Sequence, residues 1–522
     1  MDLLQLAKEN NVKSLALTDI NNTSACLSFI RKSIEFNINP VIGIDFRNGA
    51  KQLYVGLAKN NQGFQELNTF LSHHSHHKIP LPDVPPILNN VYFIYPLERI
   101  MQLEKKVFHE NEFIGISIEE LKKIPFSSYK SYTDKLVIQQ QVTIRNKRDF
   151  NAHRLLRAID NNTLLSKLQK TEECCEHDKM IPFEDLKHKF LQFPFIIANT
   201  EKLLNSCSID FKFGEYRISQ NQTLYLNSEE EDYGLLVKLC EDNLHKRYSK
   251  PDKKVRTRLE TELKTIRQMN FVSYFLINYD IVSYSKKMGY IHVGRGSGAN
   301  SIVAYIIGIT DVDPIELDLY FERFINPFRA SPPDFDIDFS WKEREDVTNY
   351  IFKRFKHVAL LATYNTFKYR AVVRELGKVF GLPKEDIDKL SSGNYKVKAL
   401  DDIALLVLKY GELIKGFPNH LSVHSCGVLI LEKPIHYYSA TDMPPKGFPT
   451  VQFDMIIAED VGVFKFDILG QRGLAKIKDT IEIIKYNRPE LPPIDISQVE
   501  TFKKDPNINN LLKQGKAIGA YY

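Results

Sequence analysis

The chain has 522 residues, 43% of them apolar, and a formal charge of +5. That length supports two to four domains with buried cores, and the charge is too small to identify a polyanionic partner by itself. Six cysteines (Cys26, Cys174, Cys175, Cys207, Cys240 and Cys426) lack framework spacing, which excludes a disulfide-stapled scaffold; with no signal peptide and no long apolar run, the expected location is a reducing cytoplasm.

In chain order, the pattern predicts a helix over 1–8, a buried strand over 14–19, a helix over 27–35 and a strand over 40–46, together an α/β layer. A chain that opens on a helix of such a unit is expected to lack the unit's first strand. Residues 80–97, rich in prolines, and the polar stretch 160–185 read as surface connections. Amphipathic helices are predicted over 255–287, with Glu260, Glu262, Lys264 and Arg267 beside Leu259, Leu263 and Ile266.

A short strand, Tyr290 to Val293, precedes Gly294-Arg295-Gly296-Ser297-Gly298 and an apolar helix over 302–307. Glycines let consecutive N–H groups face one concavity, and Arg295 adds a guanidinium, so the loop suits a triphosphate. By itself the loop is weak evidence, since a glycine turn capped by Ser297 is more often only a helix start. Neither a Walker loop nor a dinucleotide fingerprint is present. Arg323 and Arg329 follow as phosphate candidates or as members of surface ion pairs.

Pro333-Asp334-Phe335-Asp336-Ile337-Asp338-Phe339 then alternates three carboxylates with three bulky apolar residues. On a strand, the carboxylates share one face. A solvated acidic edge and a divalent-metal site both fit this pattern, and hard oxygen ligands favour magnesium. Over 340–380, nine basic residues stand against four acidic ones, interleaved with aromatics, which suits either a solvated helix face or a nucleic-acid surface. A last apolar strand is predicted over 461–470, with Lys465 and Asp467 on one face. Asp467 joined to Asp336 and Asp338 would suit two magnesium ions in phosphoryl transfer.

Gly294–Gly298, Gly308–Pro314, Phe321–Phe324 with Asn326-Pro327, the acidic strand, and Lys465–Gly470 together resemble the alpha subunit of bacterial DNA polymerase III, a C-family replicative polymerase. The resemblance implies an α/β multidomain chain: a truncated PHP-like domain over 1–205, a beta-type nucleotidyltransferase palm over 206–367 and 425–470, an inserted helical thumb over 368–424, and the start of the fingers over 471–522. It implies DNA-directed DNA polymerase activity, in which a primer 3′ hydroxyl attacks a dNTP and pyrophosphate leaves. Asp336, Asp338 and Asp467 would be catalytic metal ligands for two Mg2+ ions. Arg295, Gly296, Ser297, Arg323, Arg329 and Lys465 would hold the nucleotide, and Lys368, Arg370 and Arg374 primer-template DNA. Asp334 would orient the strand, and His424 belongs to the turn back into the palm. A proofreading exonuclease and a sliding clamp are the implied partners, the clamp site lying beyond Tyr522.

Ile20 stands where related PHP domains with a metal site often carry histidine, so phosphoesterase activity of that domain is not expected. The His73-His74-Ser75-His76-His77 cluster and the Cys174, Cys175, His177 patch match no family motif and read as exposed loops. The chain is expected to be an incomplete fragment. A non-catalytic fragment that binds DNA or another replisome subunit is the alternative function.

Overall fold

The computed structural model describes residues 2–214, 219–326, 334–496 and 499–516. It has two compact units, each of discontinuous segments: 1–215, 359–424 and 433–462 form the first, and 216–358, 425–432 and 463–522 the second.

The first unit contains a six-stranded mixed sheet whose spatial order follows the chain: β1 Ser14–Ile20, β2 Asn39–Asn48, β3 Lys51–Ala58, β4 Val91–Pro96, β5 Glu112–Ile116 and β6 Leu136–Ile138. β1 and β2 are parallel, joined by the helix Cys26–Phe36. β2, β3 and β4 run antiparallel, and β4, β5 and β6 parallel. Ile42, Ile44, Phe46, Leu53, Tyr54, Phe93 and Tyr95 fill the core beneath the helix Asn61–His77.

The first four predicted elements occur with ends within two residues of expectation. The stretch 80–97 is different, because its last residues form buried β4. Val91-Tyr92-Phe93-Ile94-Tyr95 is a five-residue apolar run, and the prolines before it obscure that signal. The histidine cluster is also different: it is the last turn of Asn61–His77, not a loop.

The helices Tyr369–Phe380, Lys384–Ser392 and Asp402–Ile414 belong to the first unit. Their apolar faces, including Val372, Val373, Leu376 and Val407, pack with Leu155 and Ala158 of Lys147–Asp160. The segment 433–462 is tied to the same unit by polar contacts: Thr23 donates to Gln452 and Asn68 to the His436 carbonyl.

In the second unit, β7 His292–Arg295 runs antiparallel to β8 Asp336–Ser340. β13 Phe466–Gln471 also lies in the second unit; β9 Val358–Thr366 (all but Val358), β11 Thr441–Asp442 and β12 Thr450–Val451 belong to the first, and β10 Pro418–Ile430 is divided between the two at Ser425. β8 pairs parallel with β13, aligning Asp336 with Asp467, and β13 pairs antiparallel with β10 at Gly427 and Val428.

The predicted helical stretch 255–287 is two helices, Lys253–Gln268 and Val272–Lys287. Only the first is amphipathic; the second is buried nearly all round, with Tyr274, Phe275, Leu276, Ile277 and Ile281 in the core. Tyr274 stacks on Phe335 with centroids 5.5 Å apart and packs on Phe466 at 5.0 Å, and its hydroxyl accepts the Phe335 N–H at 3.1 Å. One aromatic side chain thus fixes the starts of both acidic strands. Among the described residues, no helix is long and apolar enough to cross a membrane.

Candidate metal and triphosphate site

Alternation along β8 buries Phe335, Ile337 and Phe339 and turns Asp334, Asp336 and Asp338 the other way, as the spacing predicts. The three carboxylates then have different surroundings. Asp338, 5% exposed, accepts Arg295 Nε at 2.7 Å and Gln471 Nε2 at 3.3 Å. Asp336 accepts Arg295 Nη1 at 3.0 Å. Asp467 is buried, with Cys426 Sγ 3.1 Å from its Oδ1 and an ion pair to Lys465, which also reaches Asp334 at 3.4 Å.

Asp334, Asp336 and Asp467 bring carboxylate oxygens within 4.8 Å of one another. A magnesium ion holds oxygens at about 2.0–2.1 Å in an octahedron, so oxygens on one ion lie about 3–4 Å apart, and small side-chain rotations bring this trio to that spacing. The donor set is all oxygen, as a hard cation requires. Asp338 lies outside the trio, held by Arg295 and Gln471.

Burial pushes the Asp334 carboxyl up to about 6, with Asp467 and Asp336 adding repulsion against the pull of Lys465. Burial likewise raises Asp336, against the pull of Arg295. At Lys465, burial disfavours the ammonium, but the hydrogen bond it donates to Asp467 and the field of Asp334 outweigh burial and raise the group. The hydrogen bond to Asp338 leads in raising Arg295. Two cations therefore balance a carboxylate cluster that would otherwise repel itself.

Beside the acids, the glycine segment forms a 3-10 turn, Gly296–Asn300, followed by a helix of only five residues, Ile302–Ile306. Ser301, not Ser297, caps that helix, accepting the Ala304 N–H at 3.1 Å. Ser297 instead donates to the Asp334 carbonyl at 3.2 Å. Gly296 has φ +76°, and a Cβ there would lie 2.7 Å from Asp336 Oδ2; at Gly298 it would lie 2.1 Å from the Phe335 ring. Close approach of the turn to the acidic strand thus requires both glycines.

A buried carboxylate paired with a half-buried arginine braces the turn from behind. Glu262, 0% exposed, accepts Arg258 Nε at 2.6 Å and Ser301 Oγ at 2.8 Å. Arg258 also donates to the carbonyls of Asn300 at 3.0 Å and Leu319 at 3.1 Å, and Asn300 donates to Ser297 O at 2.8 Å. Burial pushes the Glu262 carboxyl up to about 7 despite Arg258. The sequence reading placed Glu262 only among the polar residues of an amphipathic helix. The available signal was its position seven residues after Val255, on the stripe of Leu259, Leu263 and Ile266. Gln471, Cys426 and Tyr274 were also missed.

Of the remaining expected residues, Arg323 is exposed and Arg329 lies outside the described residues. Lys368, Arg370 and Arg374 are exposed in the first unit, Arg374 paired with Asp388 at 2.8 Å. His424 lies on β10, half-buried.

Residues 234–470 match the family described as the bacterial DNA polymerase III alpha NTPase domain, and residues 1–110 match the PHP domain. The chain thus combines a PHP domain with a polymerase NTPase domain of mixed α/β structure. It is similar to bacterial DNA polymerase III alpha subunits over nearly its whole length. It is 29% identical to DNA polymerase III subunit alpha of Bacillus subtilis, covering 100% of this chain and 50% of that protein. The subunit of the same name from Escherichia coli K12 is 29% identical over 95% of this chain and 48% of its own length. An error-prone DNA polymerase of Symbiobacterium thermophilum is 26% identical over 100% and 53%. The chain spans about half the length of these curated relatives.

Proposed function

We propose that the chain carries the nucleotidyl-transfer centre of a replicative DNA-directed DNA polymerase, working on a primer-template and dNTPs in the cytoplasm. The observation that carries this reading is the meeting of carboxylates from two adjacent parallel strands, β8 and β13, beside a glycine turn and two cations. Two Mg2+ ions would supply charge stabilisation to the attacking and leaving oxygens. Asp336 and Asp467 would hold the metal, together with Asp334 as the three are now arranged, and Asp338 would be available to it once Arg295 paired with a triphosphate instead.

Gly296 and Ser297 would bring backbone N–H groups to that triphosphate, with Arg295, Lys465, Arg323 and Arg329 as its counter-charges. In this reading, 206–367 and 425–470 serve as palm, 368–424 as a thumb whose Lys368, Arg370 and Arg374 meet DNA, and 471–522 as the start of the fingers. A proofreading exonuclease and a sliding clamp would be partners of the whole polymerase.

The test is single-nucleotide primer extension with magnesium by this chain, its Asp336→Asn/Asp338→Asn variant, and a form extended with fingers and a duplex-binding region. Extension that disappears with the aspartates supports the reading. A folded, extended form without activity overturns it and leaves a DNA- or replisome-binding fragment.

A further inference from the structure

We propose that His73 and His77 form a surface site for a transition-metal cation of the Zn2+, Ni2+ or Cu2+ class, with nitrogen ligands in contrast to the carboxylates of β8 and β13. The two residues are one helical turn apart near the end of the 17-residue helix Asn61–His77, and both are exposed. Their rings lie side by side, with centroids 4.6 Å apart. Two imidazole nitrogens bound at about 2.0–2.1 Å to a tetrahedral ion sit about 3.4 Å apart, which a small adjustment of these rotamers provides.

His77 is already set to ligate. Its Nδ1 lies 2.8 Å from the His73 carbonyl, and because a carbonyl can only accept, Nδ1 carries the proton and Nε2 presents its lone pair. The backbone beneath the pair is fixed from inside. His76 turns inward, with Nε2 2.9 Å from the Thr441 carbonyl, and Ser72 Oγ accepts the Thr441 N–H at 2.9 Å. Lys78, at φ 53°, closes the helix by donating to the His74 and Ser75 carbonyls. The ligands are thus pre-organised, and the negative end of the helix favours a cation there. His74 is held aside, edge-on to Phe70 at 4.8 Å with Nδ1 on the Pro80 carbonyl at 3.1 Å, so the site is bidentate and water completes it.

The experiment is Zn2+ and Ni2+ titration of the chain, freed of any affinity tag and of metal, by calorimetry and by competition with a chromogenic chelator. The wild-type chain is expected to bind one equivalent more than the His73→Ala/His77→Ala variant, with that equivalent held at least tenfold more weakly after His73→Ala or His77→Ala and unchanged after His74→Ala or Asp336→Asn. Excess Mg2+ should not displace the metal, and acidification should release it, because imidazole ligates only when neutral. His73 and His77 are exposed, and unchanged circular dichroism melting identifies the variants as folded. Equal stoichiometry and affinity in the wild-type chain and the His73→Ala/His77→Ala variant overturn the proposal, as does loss of the extra equivalent with His74→Ala.

Discussion

Arg295 commits separate donors to Asp336 and Asp338, so any cation or triphosphate entering the centre competes with a guanidinium already there. Arg295→Gln is expected to tighten Mn2+ binding several-fold, since a competing positive charge is gone, and to weaken dNTP binding. Electron paramagnetic resonance titration and equilibrium dialysis measure the two constants; if neither moves, Arg295 is a surface ion pair only. Gly298 carries a separate prediction. An added Cβ would overlap the Phe335 ring, so Gly298→Ala should destabilise the second unit by about 1–3 kcal/mol, read from its urea midpoint. That Asp334, Asp336 and Asp338 share one face was legible in the sequence, because alternation places them there. Their division was not: Asp338 is neutralised through the pairing of Arg295 opposite Asp336 on a strand 41 residues earlier.

The Lys253–Gln268 helix holds the glycine turn through a buried charge, which makes that support sensitive to pH. The folded-state value for Glu262, about 7, lies above the ordinary 4.5, so the folded chain binds this proton more tightly than the unfolded chain. The stability it contributes is full below about pH 4.5 and is lost as pH rises through about 7, an effect on the order of 3 kcal/mol. Glu262→Gln should remove this decline, and urea midpoints measured across that range for both proteins check it; parallel curves would refute the assignment. Ser301→Ala, which removes both the helix cap and a Glu262 partner, should cost about 1 kcal/mol in the same assay. Elements with continuous apolar runs were readable in the sequence, as with β1 and β2. β13 was read too long, because Val461 and Val463 continue its apolar run although the strand begins only at Phe466. Those two valines are buried without joining the ladder.

At the scale of the molecule, the basic residues expected to meet DNA are on the helical part of the first unit. Under the proposed function, Lys368→Ala/Arg370→Ala should lower the slope of log affinity against log salt by about 2 for a primer-template. Arg374→Ala should lower it less, because Asp388 already holds that guanidinium. Fluorescence anisotropy across a KCl series measures both; an unchanged slope in the double variant removes this surface from the DNA path. The α/β class was evident from the order of helices and strands. The assignment of segments to units was not, because it depends on distant contacts such as Thr23 with Gln452, 429 residues apart.

The parallel pairing of β8 with β13 has a consequence for biosynthesis. About 130 residues separate Asp336 from its neighbour Asp467, and at a ribosomal rate of about 5–20 residues per second β13 is made roughly 7–26 s after β8. Throughout that interval the nascent chain exposes one edge of an acidic strand whose other face is aromatic. Charge repulsion along Asp334, Asp336 and Asp338 then discourages the same strands on neighbouring ribosomes from pairing with one another, so the carboxylates proposed to bind metal also guard the edge before the centre exists.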